Sequence, residues 1–367
     1  MNKSSVVILG GGVGGIVTAN HLAKLLPPES EIILIEKNRL HSFAASYLWL
    51  MVNKRTPQQI SSQLRELVDK RVKILFEEVK QINAENKIII TENSQISFQY
   101  LVIALGAELD KTHLDKQQYG VHNFFTYEGA SKLNGNLQNF NGGNVSIVIS
   151  SLPYKCPGAP YEGAMLIADF LKNKQLRNSI PLRQNKVTVN LYTPEPLPLP
   201  VAGPELGNSV KEVMVSKGIG FHPLNQLNSV NYNEKKIEFA SGNSINYDLL
   251  VVIPTHRVPE VVLKSDLVDE SGWIDVNKDT LETKHKNIFA IGDVTSITIP
   301  GRWQPDKPMK LPKAGVFAHS QAFTVSEIIA AKIQGEESKE IFCGDGFCML
   351  EVGEDLAGFA YGDFYGS

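Results

Sequence analysis

Apolar runs of five or six residues recur along the chain, and the gaps between several of them have room for a helix. Residues 5–10 (SVVILG) read as a buried strand. Ile16, Ala19, Ala23 and Leu26 then fall on one face of a predicted helix, which Pro27-Pro28 end before the strand at 31–36 (EIILIE). This is a strand–helix–strand unit at the start of the chain. Residues 72–105 alternate short strands with polar turns and close on the apolar run 100–105 (YLVIAL). A second unit begins near 144, with strands at 145–150, 187–192 and 249–253 and helices at 161–171 and 205–217. The run 287–291 (NIFAI) and a long helix over 316–333 return to the first unit, and two late strands follow at 347–352 and 358–361. The pattern predicts an α/β fold with two Rossmann-like units, related as a large-scale duplication, and a small C-terminal β-containing segment.

Composition narrows the class. Of 367 residues, 43% are hydrophobic and 20% charged, which suits a chain with a real core. The formal net charge is −3, so no basic footprint points to nucleic acid. No signal peptide and no run long enough to span a bilayer is visible, so the expected location is cytoplasmic or peripheral on a membrane. The three cysteines, Cys156, Cys343 and Cys348, allow one redox pair and a spare but not a disulfide scaffold. No metal site is expected, and the sequence leaves a homo-oligomer open.

The segment Gly10-Gly11-Gly12-Val13-Gly14-Gly15 satisfies G-x-G-x-x-G between a strand and a helix. Glycine there permits the tight turn and lets a pyrophosphate reach the helix N-terminal N–H groups. Glu36 ends the second strand, where a carboxylate can accept ribose hydroxyls, with Lys37 beside it. Two further strands close on glycine, at 100–107 (YLVIALGA) and 287–294 (NIFAIGDV). Together the three segments resemble the FAD fingerprints of flavoproteins with two dinucleotide-binding domains. The resemblance implies that Gly10, Gly12, Gly14, Gly15, Glu36, Lys37, Ala104, Gly106, Gly292, Asp293 and Lys313 hold FAD. In it Asp293 meets the ribityl chain and Gly106 lies near the adenosine side. The implied domains are 1–113 with 257–335 for FAD, 114–256 as a second Rossmann-like domain, and 336–367 as a C-terminal interface segment.

In such flavoproteins the second unit carries its own glycine loop for NADH. Here residues 150–160 read SSLPYKCPGAP. Proline lacks an N–H and brings a ring, so this loop is poorly suited to a pyrophosphate, and NADH is not expected to bind. Cys156 takes that place ahead of a helix N-terminus, beside Lys155, and both features predict a thiol poised towards thiolate. The motif KCPGAPYEG resembles the Cys-Pro-x-x-Pro-Tyr-Glu segment of sulfide:quinone oxidoreductases and of the flavin subunit of flavocytochrome c sulfide dehydrogenase. SYLWLMVNKRTPQQI at 46–60, LPKAGVFAHSQA at 311–322 and FCMLEVGEDLAGFAY at 347–361 extend the resemblance over nearly the whole chain.

That resemblance implies oxidation of hydrosulfide to zero-valent sulfur or polysulfide by a Cys156–Cys348 pair, with electrons passing through FAD to quinone. By resemblance, Cys348 is the thiolate that reacts with the flavin, and Lys313 sets a positive charge near the ring. Cys343 is the alternative partner for Cys156. Glu162 can move protons or simply favour the helix N-terminus, and His319 is packing or a flavin neighbour. No cysteine precedes Cys156, which implies noncovalent FAD and the lack of a third redox cysteine. The family continues past the point where this chain ends into amphipathic helices, so the C-terminal segment reads as truncated and peripheral membrane contact is the least supported expectation. Phe364 and Tyr365 are candidates for a quinone clamp or for packing. The other readings are donation to a cytochrome c partner, a type-II NADH:quinone oxidoreductase, and a non-enzymatic flavin and thiol redox sensor.

Overall fold

The computed structural model describes residues 4–114, 116–177, 186–299 and 309–366. Two five-stranded parallel sheets dominate it. In the first, the order is 288–290, 100–103, 5–9, 31–35 and 73–75. In the second it is 121–122, 249–253, 143–149, 187–192 and 220–222. Strands buried on both faces explain the continuous apolar runs, since helices cover parallel sheets on each side; Val6 to Leu9 and Leu249 to Ile253 are all buried.

The duplication extends further than the apolar pattern suggests. Each unit inserts a three-stranded antiparallel sheet between two of its parallel strands, at 79–97 ahead of 100–103 in the first and at 227–246 ahead of 249–253 in the second. In both sheets the central strand runs directly into a loop and a helix, Val13–Leu25 and Ala159–Arg177. The sheet order reverses around that strand, which is where open α/β sheets bind ligands.

The long helix Gly315–Gln334 packs on the Val13–Leu25 helix. Two large apolar clusters, one around each main sheet, and a smaller third under the 227–246 sheet make up the core. Tyr47, Leu48, Leu50, Met51, Val52 and Ile60, which lie early in the chain, pack into the second cluster rather than the first. The Ala159–Arg177 helix is longer than the predicted 161–171, because its last turns are polar and carry no apolar stripe. A C-terminal hairpin, Asp345–Gly353 with Leu356–Asp363, lies against that helix. Leu350 points into the second core, whereas Phe347, Met349, Phe359 and Tyr361 are exposed. Among the described residues no helix is long and apolar enough to cross a membrane.

Candidate active site

The first glycine loop is built for close approach. A Cβ on Gly15 would lie 1.8 Å from the Gly10 carbonyl oxygen, and Gly10 itself sits at φ +100°. Gly12 differs: nothing lies within 4 Å of where its Cβ would be, so its backbone faces the open cleft. The helix begins there with no side-chain cap and no acidic residue in its first turn. Its first N–H groups therefore remain available to an anion. Glu36 already accepts from Gly11 N–H at 2.8 Å and from Asn38 N–H at 2.8 Å, which fixes the carboxylate beside the loop. Lys37 pairs with Glu78 at 3.2 Å on the cleft wall. Ala104 and Gly106 line the same wall, and the Ala104 carbonyl lies 2.5 Å from where a Gly10 Cβ would sit.

Asp293 lies on the cleft floor with Oδ1 buried and unpartnered, and burial raises its pKa despite the nearby Lys155 and Lys313 charges. An unsatisfied buried carboxylate oxygen is costly, so this position suits a ligand hydroxyl. Gly292 N–H donates to Gln321 Oε1 at 2.7 Å, which anchors the turn to the long helix. Lys313 Nζ donates to the carbonyls of Asp293 at 2.9 Å and Thr295 at 2.8 Å and lies over the Trp273 ring. Burial lowers its pKa to about 7, with Asp293 opposing the shift. The cleft has a volume of about 1750 Å³, well above the roughly 300–1,000 Å³ of a drug-sized site. Length, glycine turn, free helix end and orphan acceptor together fit a dinucleotide carrying a polyol chain, as FAD does.

Cys156 and Cys348 both reach this cleft from distant parts of the chain, and Glu162 lines it beside them. Cys156 adopts φ +54°, a left-handed conformation that costs a non-glycine residue about 1–2 kcal/mol. Its N–H donates to the Lys313 carbonyl at 2.6 Å, and its carbonyl accepts from Ala159 N–H at 2.9 Å. Glu162 accepts from Glu351 N–H at 3.0 Å, so the hairpin docks on the cysteine helix through this carboxylate. Burial raises Glu162 to about 7, the Glu351 N–H partly opposing the shift.

One expectation is corrected here. Lys155 does not act on the Cys156 thiol, and the one lowering influence, the Ala159 N–H at the helix start, is outweighed. Burial pushes the thiol well above the ordinary range, and Glu162, Cys348 and Asp293 add to the rise. Lys155 acts on Asp293 and His256 instead. Cys348 is exposed on its strand, yet the cleft walls thin the water around its sulfur and raise it to about 11, with Glu162 contributing. All three cysteines are free thiols. Cys343 is exposed and does not line the cleft. Phe364 packs edge-on against Phe317, and Tyr365 against Phe342. His319 lines the cleft and tilts against Phe323.

Sequence reasoning missed Glu195, Tyr154, Gln321 and Trp273. Glu195 left a usable signal, an acidic residue three positions past a strand of the second unit. Trp273 and Gln321 left none, because both act through a neighbour that only folding supplies.

Two Rossmann-like units, one keeping its glycine loop and the other presenting a cysteine in its place, define a two-nucleotide-fold oxidoreductase of the flavoprotein type. Residues 4–322 match the family model for pyridine nucleotide-disulphide oxidoreductase, and the chain belongs to that family. It is 27% identical to the sulfide-quinone reductase of Aquifex aeolicus over 98% of this chain and 83% of that protein. A solved structure of the sulfide:quinone oxidoreductase from the same bacterium superposes with a TM-score of 0.83 at 26% identity, covering 98% of this chain and 84% of that one. The mouse mitochondrial sulfide:quinone oxidoreductase is 24% identical over 81% of this chain, and the match spans 66% of that protein's length.

Proposed function

We propose that this chain holds FAD noncovalently and oxidises hydrosulfide at Cys156 and Cys348, with quinone as the electron acceptor. The observation that carries the reading is the meeting of these two thiols with Glu162 on one cleft wall, where the second unit would otherwise hold a phosphate. The exposed apolar side chains of the hairpin, which also line the cleft, support an apolar acceptor, and the relatives are named for quinone.

Gly10, Gly12, Gly14 and Gly15 would hold the pyrophosphate, Glu36 the ribose, and Asp293 the ribityl chain. Gly106 and Ala104 would wall the adenosine side, with Gly292, Lys37 and Lys313 at the edges. When bound, FAD supplies a two-electron acceptor that can be reoxidised by quinone. The chain's own chemistry starts from a Cys156–Cys348 disulfide; both are free thiols in this structure, and the two electrons released when they join, with loss of two protons, go to the acceptor that bound FAD supplies. Hydrosulfide attacks one sulfur, the S–S bond breaks, a new S–S bond makes a persulfide, and the other cysteine leaves as thiolate. The better leaving thiolate is the one with the lower pKa, which is Cys348. Attack therefore falls on Cys156 and frees Cys348. Glu162, poised near neutrality, takes the proton that hydrogen sulfide loses on becoming hydrosulfide and leaves Cys348 as thiolate.

The FAD-loaded protein, kept anaerobic, should lose its flavin colour with sulfide and keep it with NADH. Cys156→Ser should abolish the sulfide response while retaining flavin, and a short-chain quinone should restore colour to the reduced wild type. Bleaching by NADH alone would overturn the reading.

A further inference from the structure

At the end of the second strand of a dinucleotide fold, a carboxylate ordinarily accepts ribose hydroxyls. Glu195 stands just beyond that point, three residues past the Val187–Tyr192 strand where Glu36 is one past its own, and is 7% exposed. Its Oε2 accepts the Tyr154 hydroxyl at 2.7 Å and the Tyr161 hydroxyl at 3.0 Å, and Thr193 Oγ1 lies 3.4 Å away. Thr193 Oγ1 in turn accepts from Glu195 N–H at 3.1 Å, which holds the carboxylate in place. Tyr154 precedes Cys156 by two residues, and Tyr161 lies in the first turn of the helix that follows it. One buried oxygen therefore ties down both flanks of the cysteine loop.

We propose that Glu195 is the positioning residue of Cys156. The ribose hook of the second unit is retained but now grips two phenols of the protein itself. The loop between them is thereby held with Cys156 in its left-handed conformation, and the same bonds occupy the acceptor that a nucleotide would need. Glu195 touches neither thiol; it acts through Tyr154 and Tyr161. The idea rests on Cys156 being the working thiol, but its test does not depend on sulfide turnover.

The test is the alkylation rate of each cysteine in the thiol-reduced, FAD-loaded protein, read by peptide mass spectrometry. Glu195→Ala should speed iodoacetamide labelling of Cys156 at least tenfold while Cys343 and Cys348 stay within twofold, because the half-buried thiol is released from its fixed loop. Glu195→Gln keeps an oxygen acceptor for both phenols and should stay within threefold of the wild type. The double variant Tyr154→Phe, Tyr161→Phe keeps the packing, removes both donors and should reproduce the alanine result, which guards against a Glu195→Ala protein that fails to fold. Cys156 labelling unchanged in the double variant would overturn the proposal, as would parallel acceleration at all three cysteines. A selective change at Cys156 in a protein that sulfide does not reduce would retain the positioning role and remove the sulfide reading.

Discussion

A carboxylate set between two thiols is expensive when ionised, and Glu162 carries that cost. Its pKa lies above the ordinary carboxylate value of 4.5, at about 7, so the folded state binds a proton that the unfolded chain releases. Stability from this group is full below pH 4.5 and is lost as pH rises through 7. The shift corresponds to about 3 kcal/mol at 1.36 kcal/mol per unit. Glu162→Gln keeps the acceptor for the Glu351 N–H and removes the charge. Thermal melts should show the variant more stable than wild type at pH 8 and equal to it near pH 4.5, while sulfide reduction falls at least tenfold. Equal melts at both pH values would mean that the carboxylate is not desolvated.

At the scale of elements, two short pieces determine whether the cleft works. The first is the glycine turn: Gly15→Ala forces a methyl against the Gly10 carbonyl, where 1.8 Å is available, so the turn must open. The variant should purify without flavin colour, read as the ratio of flavin to protein absorbance. The second is the hairpin that carries Cys348. Its tip, Glu354 and Asp355, is held by Lys172, Lys217 and Lys54 from three separate parts of the chain. These pairs are exposed and screened by salt. Hydrogen exchange at 345–363 should therefore speed up in 1 M salt (about 3 Å Debye length) or in Glu354→Lys, with salt adding in the variant only what the remaining Lys54–Asp355 pair contributes. Most of the parallel strands and long helices were legible from apolar runs and helical spacing, but the helix Tyr127–Asn139 and the short strands 121–122 and 220–222 were not. The antiparallel strands at 227–246 were not, because Lys236–Phe239 and Ser244–Asn246 are too short and too polar outward for alternation to register. The 47–51 segment lies early in the chain, and nothing in its sequence says that its apolar side chains belong to the second core. The reactivity of Cys156 was misjudged for a related reason. Adjacency in sequence put Lys155 beside it, whereas the folded backbone turns that charge towards Asp293 and His256.

Across the whole molecule, the two units share a plan but only the first keeps a glycine loop, so under the proposed function ligand removal should affect them unequally. Bound FAD adds about 2.7 kcal/mol of stability at a hundredfold excess over its dissociation constant. Stripping flavin should lower the melting temperature and deprotect the 10–25, 292–299 and 309–321 regions, while the 227–246 sheet stays protected in hydrogen exchange. Uniform loss would mean that the second unit leans on the flavin as heavily as the first. The bond from Cys156 N–H to the Lys313 carbonyl has a consequence for motion. It is a stitch across the seam between the halves, so swinging them apart to uncover the sulfur centre would break it at a net cost of about 0.5–1.5 kcal/mol. The seam is thus tied lightly, and the loop that carries Cys156 keeps its place only while the Lys313 backbone keeps its own.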